Sequence, residues 1–228
     1  MKQFAVIGLG NFGYALALEL MEQGAQVIAV DRDAQRVEAI KDKVTYAVTL
    51  DAGDEGALRA ASIHEVDVAI VCIGENIEAN LLSTVLLKKI GVKRILGRAI
   101  SPLQEEILKA LDIDSIMNLE LDMGRTLARS LVMDNVMKHL SLGEKYSVAE
   151  IKVPPALVGK TLRQSALRKH HNLNVVGIKK KVPEINKDGE RTFKEETEPV
   201  PSPDARLEEE DVLVVVGKEE NIIKFSKT

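Results

Sequence analysis

The chain has 228 residues, 45% hydrophobic and 29% charged, with a formal net charge of -4. That length holds one doubly wound domain and something smaller, and the mild acidity speaks against a nucleic-acid binder or a basic membrane-surface patch. A single cysteine, no tryptophan and 3% aromatics exclude a disulfide framework and a cysteine-built metal site, while abundant Val, Ile, Leu and Ala suit a parallel sheet covered on both faces.

Met1-Lys2 leads straight into a short apolar strand, Phe4-Ala5-Val6-Ile7, so no signal peptide is expected. The strand enters Gly8-Leu9-Gly10-Asn11-Phe12-Gly13, and a helix with apolar positions at Tyr14, Leu16, Leu18, Leu20 and Met21 follows. Strand, Gly-x-Gly-x-x-Gly and helix in that order are the dinucleotide fingerprint. Gly8 permits the tight turn, Gly10 lets a pyrophosphate approach the backbone, and Gly13 lets helix and strand pack closely. Leu9, Asn11 and Phe12 complete the loop at a helix N-terminus whose free N–H groups favour an anion. Val27-Ile28-Ala29-Val30-Asp31 is the next buried strand, and Asp31 stands at the offset of about twenty residues that places an acid on the ribose hydroxyls. Arg32 follows it, but an acid at the ribose position repels a 2′-phosphate, which disfavours NADP.

Helical spacing returns from Ala34 to Lys41, with Val37 and Ile40 on one face. Tyr46-Ala47-Val48-Thr49 is a third strand, leading to Leu50-Asp51-Ala52-Gly53-Asp54. At the carboxyl end of a strand this loop, with Asp51 and Ala52, stands near an adenine, and Asp54 equally reads as a helix N-cap. Val66 to Ile73 is a fourth strand, passing through Ile73 and Gly74 into a long helix from Ile77 to Lys89. Arg94 to Arg98 is a fifth strand, Pro102 opens a helix to Leu111, and Ser115-Ile116-Met117 is a sixth strand. Strands alternating with helices in this way specify an α/β, Rossmann-like doubly wound parallel sheet, and the expected domain spans residues 1–120. No apolar run approaches the roughly eighteen residues of a membrane-spanning helix, so a soluble, intracellular protein is expected.

From Leu121 the pattern changes: a helix is expected to run through Val136-Met137-Lys138, apolar over more than one face. Such a helix needs a second copy or another domain to bury against. Residues 143–228 read as a small α+β unit. Ser147 to Val153 alternates as a strand, Gly159-Lys160-Thr161-Leu162 leads into a short helix through Leu167, and Asn174 to Lys179 and Asp211 to Gly217 are further strands. A helix from Glu219 to Phe225 closes the chain. The polar, Pro-containing stretch 180–203 is expected to be a mobile hairpin or loop, and the thin core of the unit favours pairing.

The order of these features resembles the RCK (regulator of K+ conductance) proteins, cytosolic regulatory subunits of Trk/Ktr-type potassium transporters. The resemblance covers nearly the whole chain. It rests on Val6 to Gly13, Ala29-Val30-Asp31, Cys72 to Asn80, Glu120 to Gly124, Val158 to Leu162 and Leu207 to Gly217. It implies an N-terminal Rossmann subdomain that binds an adenine nucleotide (ATP, ADP or AMP) or NAD(H), a crossover helix over residues 121–142 that dimerises, and a C-terminal subdomain. It also implies assembly of dimers into an octameric ring beneath a separate membrane potassium-translocating subunit, at the inner face of the cell membrane. By the same resemblance, Gly8, Gly10 and Gly13 meet phosphate, Asp31 ribose and Asp51 adenine. Glu120 matches an acid near the terminal phosphate and its cation, and Arg98 stands where some relatives carry a phosphate-contacting lysine. One departure is Asn11, where ATP-responsive relatives often carry an arginine reaching a γ-phosphate. Cyclic di-AMP, which some relatives bind between C-terminal subdomains, has Arg168 and His171 as its candidate contacts.

Two other classes share the fingerprint. An NAD-dependent oxidoreductase needs a proton donor or acceptor beside the nicotinamide. His64, His139 and His170-His171 are not expected to converge on the crevice, Cys72 lies mid-strand, and no Gly-x-Ser-x-Gly elbow occurs. The second class is a nucleotide-sensing dimer that regulates another partner.

Overall fold

The computed structural model describes residues 1–132, 135–143, 145–185 and 191–228. The chain divides into two compact units, Met1–Asp122 and Met123–Thr228.

In the first unit six parallel strands, β1 (Gln3–Ile7), β2 (Gln26–Asp31), β3 (Tyr46–Thr49), β4 (Val68–Val71), β5 (Ile95–Arg98) and β6 (Ser115–Met117), form one sheet in the order β3-β2-β1-β4-β5-β6. The order reverses between β1 and β4, and that switch point opens a crevice at the strands' carboxyl ends. Both faces are covered, so successive residues serve opposite cores. Ala5 and Ile7 pack with Val30, Leu58, Val71, Leu87 and Ile95, whereas Val6 packs with Ala17, Ala29, Ile40 and Ile70. This double burial is why the strands read as unbroken apolar runs rather than as alternation.

Five helices connect these strands: α1 (Asn11–Glu22), α2 (Ala34–Ile40), α3 (Glu55–Ala60), α4 (Ile77–Lys89) and α5 (Pro102–Ala110). Four begin with a side chain that accepts a first-turn N–H: Asp33 for α2, Asp54 for α3, Asn76 for α4 and Ser101 for α5. Helix α1 begins at Gly10, which has no side chain to do so. A further helix, α6 (Leu119–Val132), leaves Leu121, Met123, Leu127 and Leu131 exposed, the last at 77%.

The second unit is a five-stranded antiparallel sheet. Its strands are β7 (Val136–Ser141), β8 (Tyr146–Lys152), β9 (Leu173–Ile185), β10 (Arg191–Pro199) and β11 (Val212–Lys218), in the order β10-β9-β11-β8-β7. Short helices α7 (Leu162–Ser165) and α8 (Leu167–His171) and the terminal α9 (Glu219–Ser226) complete it. Ile151, Leu173, Ile178, Leu213, Ile222 and Phe225 form its core.

Two expectations need correction. The helix does not continue to Leu142: it ends at Val132, and Val136–Ser141 is the strand β7, paired with β8. A bulge shifts the register between Val136 and Lys138, so the buried residues Val136 and His139 fall three apart and imitate helical spacing. Positive φ values at Asn135 (64°) and Gly143 (124°) bracket the strand. The second correction concerns the short helix through Leu167, which is interrupted at Ala166 (φ 46°), so that Leu167 opens a separate short helix, α8, that ends at His171. Of the two alternatives for 180–203, the described residues form the hairpin: β9 and β10 pair from Ile185 with Arg191 to Gly177 with Pro199, and residues 186–190 lie outside the described set. Opposite charges face each other there, Lys180 with Glu196 and Lys181 with Glu195, which lets a stretch with few apolar side chains form strands.

Candidate functional site: a crevice at the carboxyl ends of the parallel strands

The loop from β1 to α1 is shaped by its three glycines, each differently. Gly8 has φ 96°, and a Cβ there would stand 3.0 Å from the backbone nitrogen of Ile73 at the end of β4. A Cβ on Gly13 would stand 1.9 Å from the carbonyl oxygen of Gly8 and 3.2 Å from the Cβ of Cys72, so helix and strand meet with no room for a side chain. A Cβ on Gly10 would have nothing within 4 Å. Open space over an uncapped helix N-terminus is what an incoming phosphate requires. Gly10→Ala is therefore expected to fold with unchanged stability while binding an adenine nucleotide about tenfold to hundredfold more weakly, the cost of a methyl group in a close contact; denaturant unfolding and titration calorimetry check the two halves separately.

Asp31 ends β2 beside this loop and is 7% exposed. Its Oδ2 accepts the backbone N–H of Leu9 at 2.6 Å, its Oδ1 accepts that of Asp33 at 2.9 Å, and an Arg36 guanidinium nitrogen lies 3.7 Å from Oδ2. The carboxylate is thus fixed in orientation against the glycine loop, with lone pairs left for hydroxyl donors. The side chain of Leu9 is buried, so that residue presents its backbone; Asn11 and Arg32 are exposed, and Phe12 packs partly against the core.

Beyond β2, Asp51 is exposed at the end of β3 and its Oδ1 accepts the N–H of Gly53 at 2.8 Å. Ala52 points into the core. On the other side of β1, Gly74 follows β4 and carries the Arg98 side chain across it: a Cβ there would stand 2.6 Å from Nη1. The Arg98 guanidinium pairs with Glu120 in the first turn of α6. The N–H of Glu120 itself and then Arg98 hold that carboxyl below the usual carboxylate range.

Strand order sets these positions side by side along the carboxyl ends of the strands. Asp51 follows β3, Asp31 ends β2, the glycine loop follows β1, Gly74 follows β4 and Arg98 ends β5, and these strands are neighbours in that order. A ligand with adenosine at the acidic end would cross the uncapped helix terminus with its phosphates and reach Arg98 with whatever lies beyond. As for a cation, no group of three or more His, Cys, Asp or Glu gathers among the described residues, and the one carboxylate expected to hold it, Glu120, is engaged by Arg98.

Two residues of this region have no counterpart among the expected site residues. Asn80 on α4 and Gln104 on α5 are buried and donate to backbone carbonyls at the ends of β4 and β5. Gln104 is followed by two glutamates and α4 buries Ser83 and Thr84 beside Asn80, so no break in an apolar pattern marked either residue. Cys72, by contrast, is a core residue whose thiol burial pushes up to about 12, which leaves it neutral and unreactive.

Arg168 and His171, the residues expected for a second nucleotide, both lie on α8. The His171 ring lies tilted at 60° against that of Phe225, with ring centroids 4.9 Å apart.

Comparison with known proteins agrees with this architecture. The TrkA-N domain family model matches residues 4–119 and the TrkA-C domain model residues 148–228. The chain is 35% identical over 228 residues to the Ktr system potassium uptake protein C of Bacillus subtilis, covering 99% of this chain and 96% of that one. It is 33% identical over 227 residues to the Ktr system potassium uptake protein A of Vibrio alginolyticus, covering 100% and 97%. Among solved structures, the GsuK channel bound to NAD superposes with a TM-score of 0.64 at 16% identity, covering 96% of this chain, which spans 38% of that channel chain. Matched by both family models and aligned from end to end with Ktr proteins, the chain belongs to the TrkA-N/TrkA-C family of potassium uptake proteins.

Proposed function

We propose that the chain is a nucleotide-binding regulatory subunit that gates a separate potassium-translocating membrane subunit of Trk/Ktr type. The observation that carries this reading is the crevice itself: an uncapped helix N-terminus beside a buried, oriented carboxylate, in a chain with Ktr relatives along its whole length. The ligand is an adenine nucleotide or NAD(H), held by Gly8, Gly10 and Gly13 at phosphate and Asp31 at ribose, with Asp51 toward adenine and Arg98 at the far end. Among the described residues no helix is long and apolar enough to cross a membrane, and the role assigned here is that of a cytoplasmic partner docked on the inner face of the transporter. The exposed apolar residues of α6 support self-association, as a dimer and then an octameric ring. Gating then needs only a nucleotide that binds one dimer geometry better than another.

A catalytic role has little support. Of four histidines only His64 belongs to the first unit, in the turn before β4, at the opposite end of that strand from Gly74. The test of the function is potassium flux into proteoliposomes holding a Ktr-type membrane subunit, with and without this chain. Addition of the chain should make the flux depend on the adenine nucleotide supplied. Flux indifferent to both chain and nucleotide would overturn the assignment.

A further inference from the structure

The parallel ladder between β4 and β5 ends at the pair Val71 and Gly97. Beyond it the two chains part, and carbonyl groups that a longer sheet would have paired need other donors. Asn80, wholly buried on α4, supplies them. Its Nδ2 donates to the carbonyl of Ile73 at 2.7 Å and to the carbonyl of Arg98 at 3.1 Å, bridging the gap where the strands separate. Gln104, 2% exposed on α5, donates from Nε2 to the same Arg98 carbonyl at 3.2 Å, while its Oε1 accepts the N–H of Ile100 at 2.9 Å. Asn80 Oδ1 is buried and, among the described residues, has no hydrogen-bond partner. Burying that acceptor costs free energy, but an apolar residue there would leave both carbonyls without this donor.

The same two backbone segments carry the far end of the crevice. Ile73 precedes Gly74, and the Arg98 guanidinium lies so close over Gly74 that a Cβ there would meet Nη1 and Cζ at 2.6 and 3.0 Å. A small change in the separation of the segments would therefore move the guanidinium relative to the glycine loop. Given the nucleotide-binding reading on which this step rests, we propose that Asn80 is the positioning residue of the distal-phosphate subsite. Its carboxamide, seconded by Gln104, ties the carbonyl of Ile73 to that of Arg98 and holds the guanidinium where it meets the phosphate beyond the first.

Asn80 touches no part of the adenosine end, so its loss separates two affinities. The full chain carrying Asn80→Ser, whose hydroxyl is too short to bridge both carbonyls, is titrated with ADP and with adenosine. The expected result is ADP affinity lower by about tenfold, the scale of one well-placed hydrogen bond, with adenosine affinity unchanged. Gln104→Met removes one donor to the same carbonyl and should act in the same direction more weakly. In an Arg98→Ala background Asn80→Ser should cost ADP affinity nothing further, because residues acting through one another are not additive. Equal weakening of ADP and adenosine, unchanged ADP affinity, or a full additional loss in the Arg98→Ala background would each overturn the proposal. So would failure of both variants to fold, which would make the amides folding residues alone. Absence of ADP and adenosine binding by the wild-type chain would instead strike the nucleotide reading beneath it.

Discussion

Gly13→Ala is expected to lower the stability of the first unit by about 3 kcal/mol or more, at the upper end of the cost of forcing atoms into a closed contact. The added methyl group would lie 1.9 Å from the carbonyl oxygen of Gly8, a backbone atom that cannot swing aside, and 3.2 Å from Cys72. Relief requires α1 to back away from β1, which disturbs Ala17 and the core formed by Val6, Ala29 and Ile70. Denaturant unfolding measures the effect directly, and a loss below about 0.5 kcal/mol, the usual range of inconsequential substitutions, would show that helix and strand do not meet closely at Gly13. The contrast with Gly10 is informative. Both glycines belong to one motif, yet one leaves room for the chain to pack on itself and the other for a ligand.

Asp31→Ala should weaken adenine nucleotide binding by about a hundredfold, since hydrogen bonds from ribose hydroxyls to a carboxylate are the stronger, charge-assisted kind. A second effect comes with it. The N–H of Leu9 and that of Asp33 now donate to this carboxylate at 2.6 and 2.9 Å, and its removal leaves the buried Leu9 donor unpaired, at a cost of about 1–3 kcal/mol of stability. Titration calorimetry and unfolding on the same preparation separate the two. Asp31 thus organises the loop before any ligand arrives, which is a form of preorganisation.

How far the sequence carried these conclusions depends on whether the determining interaction is local. Gly8, Gly10, Gly13 and Asp31 were legible because strand, turn and helix follow one another within thirty-odd residues and each glycine answers a local steric demand. The capping residues Asp54, Asn76 and Ser101 were near-local in the same way, although Asp54 alone among them stood out beforehand. Beyond that range legibility failed. Asn80 meets Arg98 eighteen positions away in sequence and Gln104 approaches the same carbonyl from another helix; only the folded sheet brings them together. Val136–Ser141 misled for a different reason, because a bulge replaced the two-residue period of a strand with a spacing that suits a helix. The β9–β10 hairpin shows the limit of composition: charged residues that bury little still pair across strands when their signs alternate between partners. Ala52, placed beside adenine by its neighbour Asp51, instead faces the core, so only its backbone is available to a ligand.

The measurement that bears most directly on the central claim is thermal unfolding of the full chain against ATP, ADP, AMP, NAD+ and NADH, wild type beside Asp31→Ala. A ligand bound only by the folded state raises the midpoint by mass action. A shift with at least one of these nucleotides is expected in the wild type and should disappear in Asp31→Ala, with the order of shifts revealing how Arg98 and the Asn11 departure weigh a distal phosphate against nicotinamide. No shift with any of the five, or shifts that persist undiminished without Asp31, would contradict that claim.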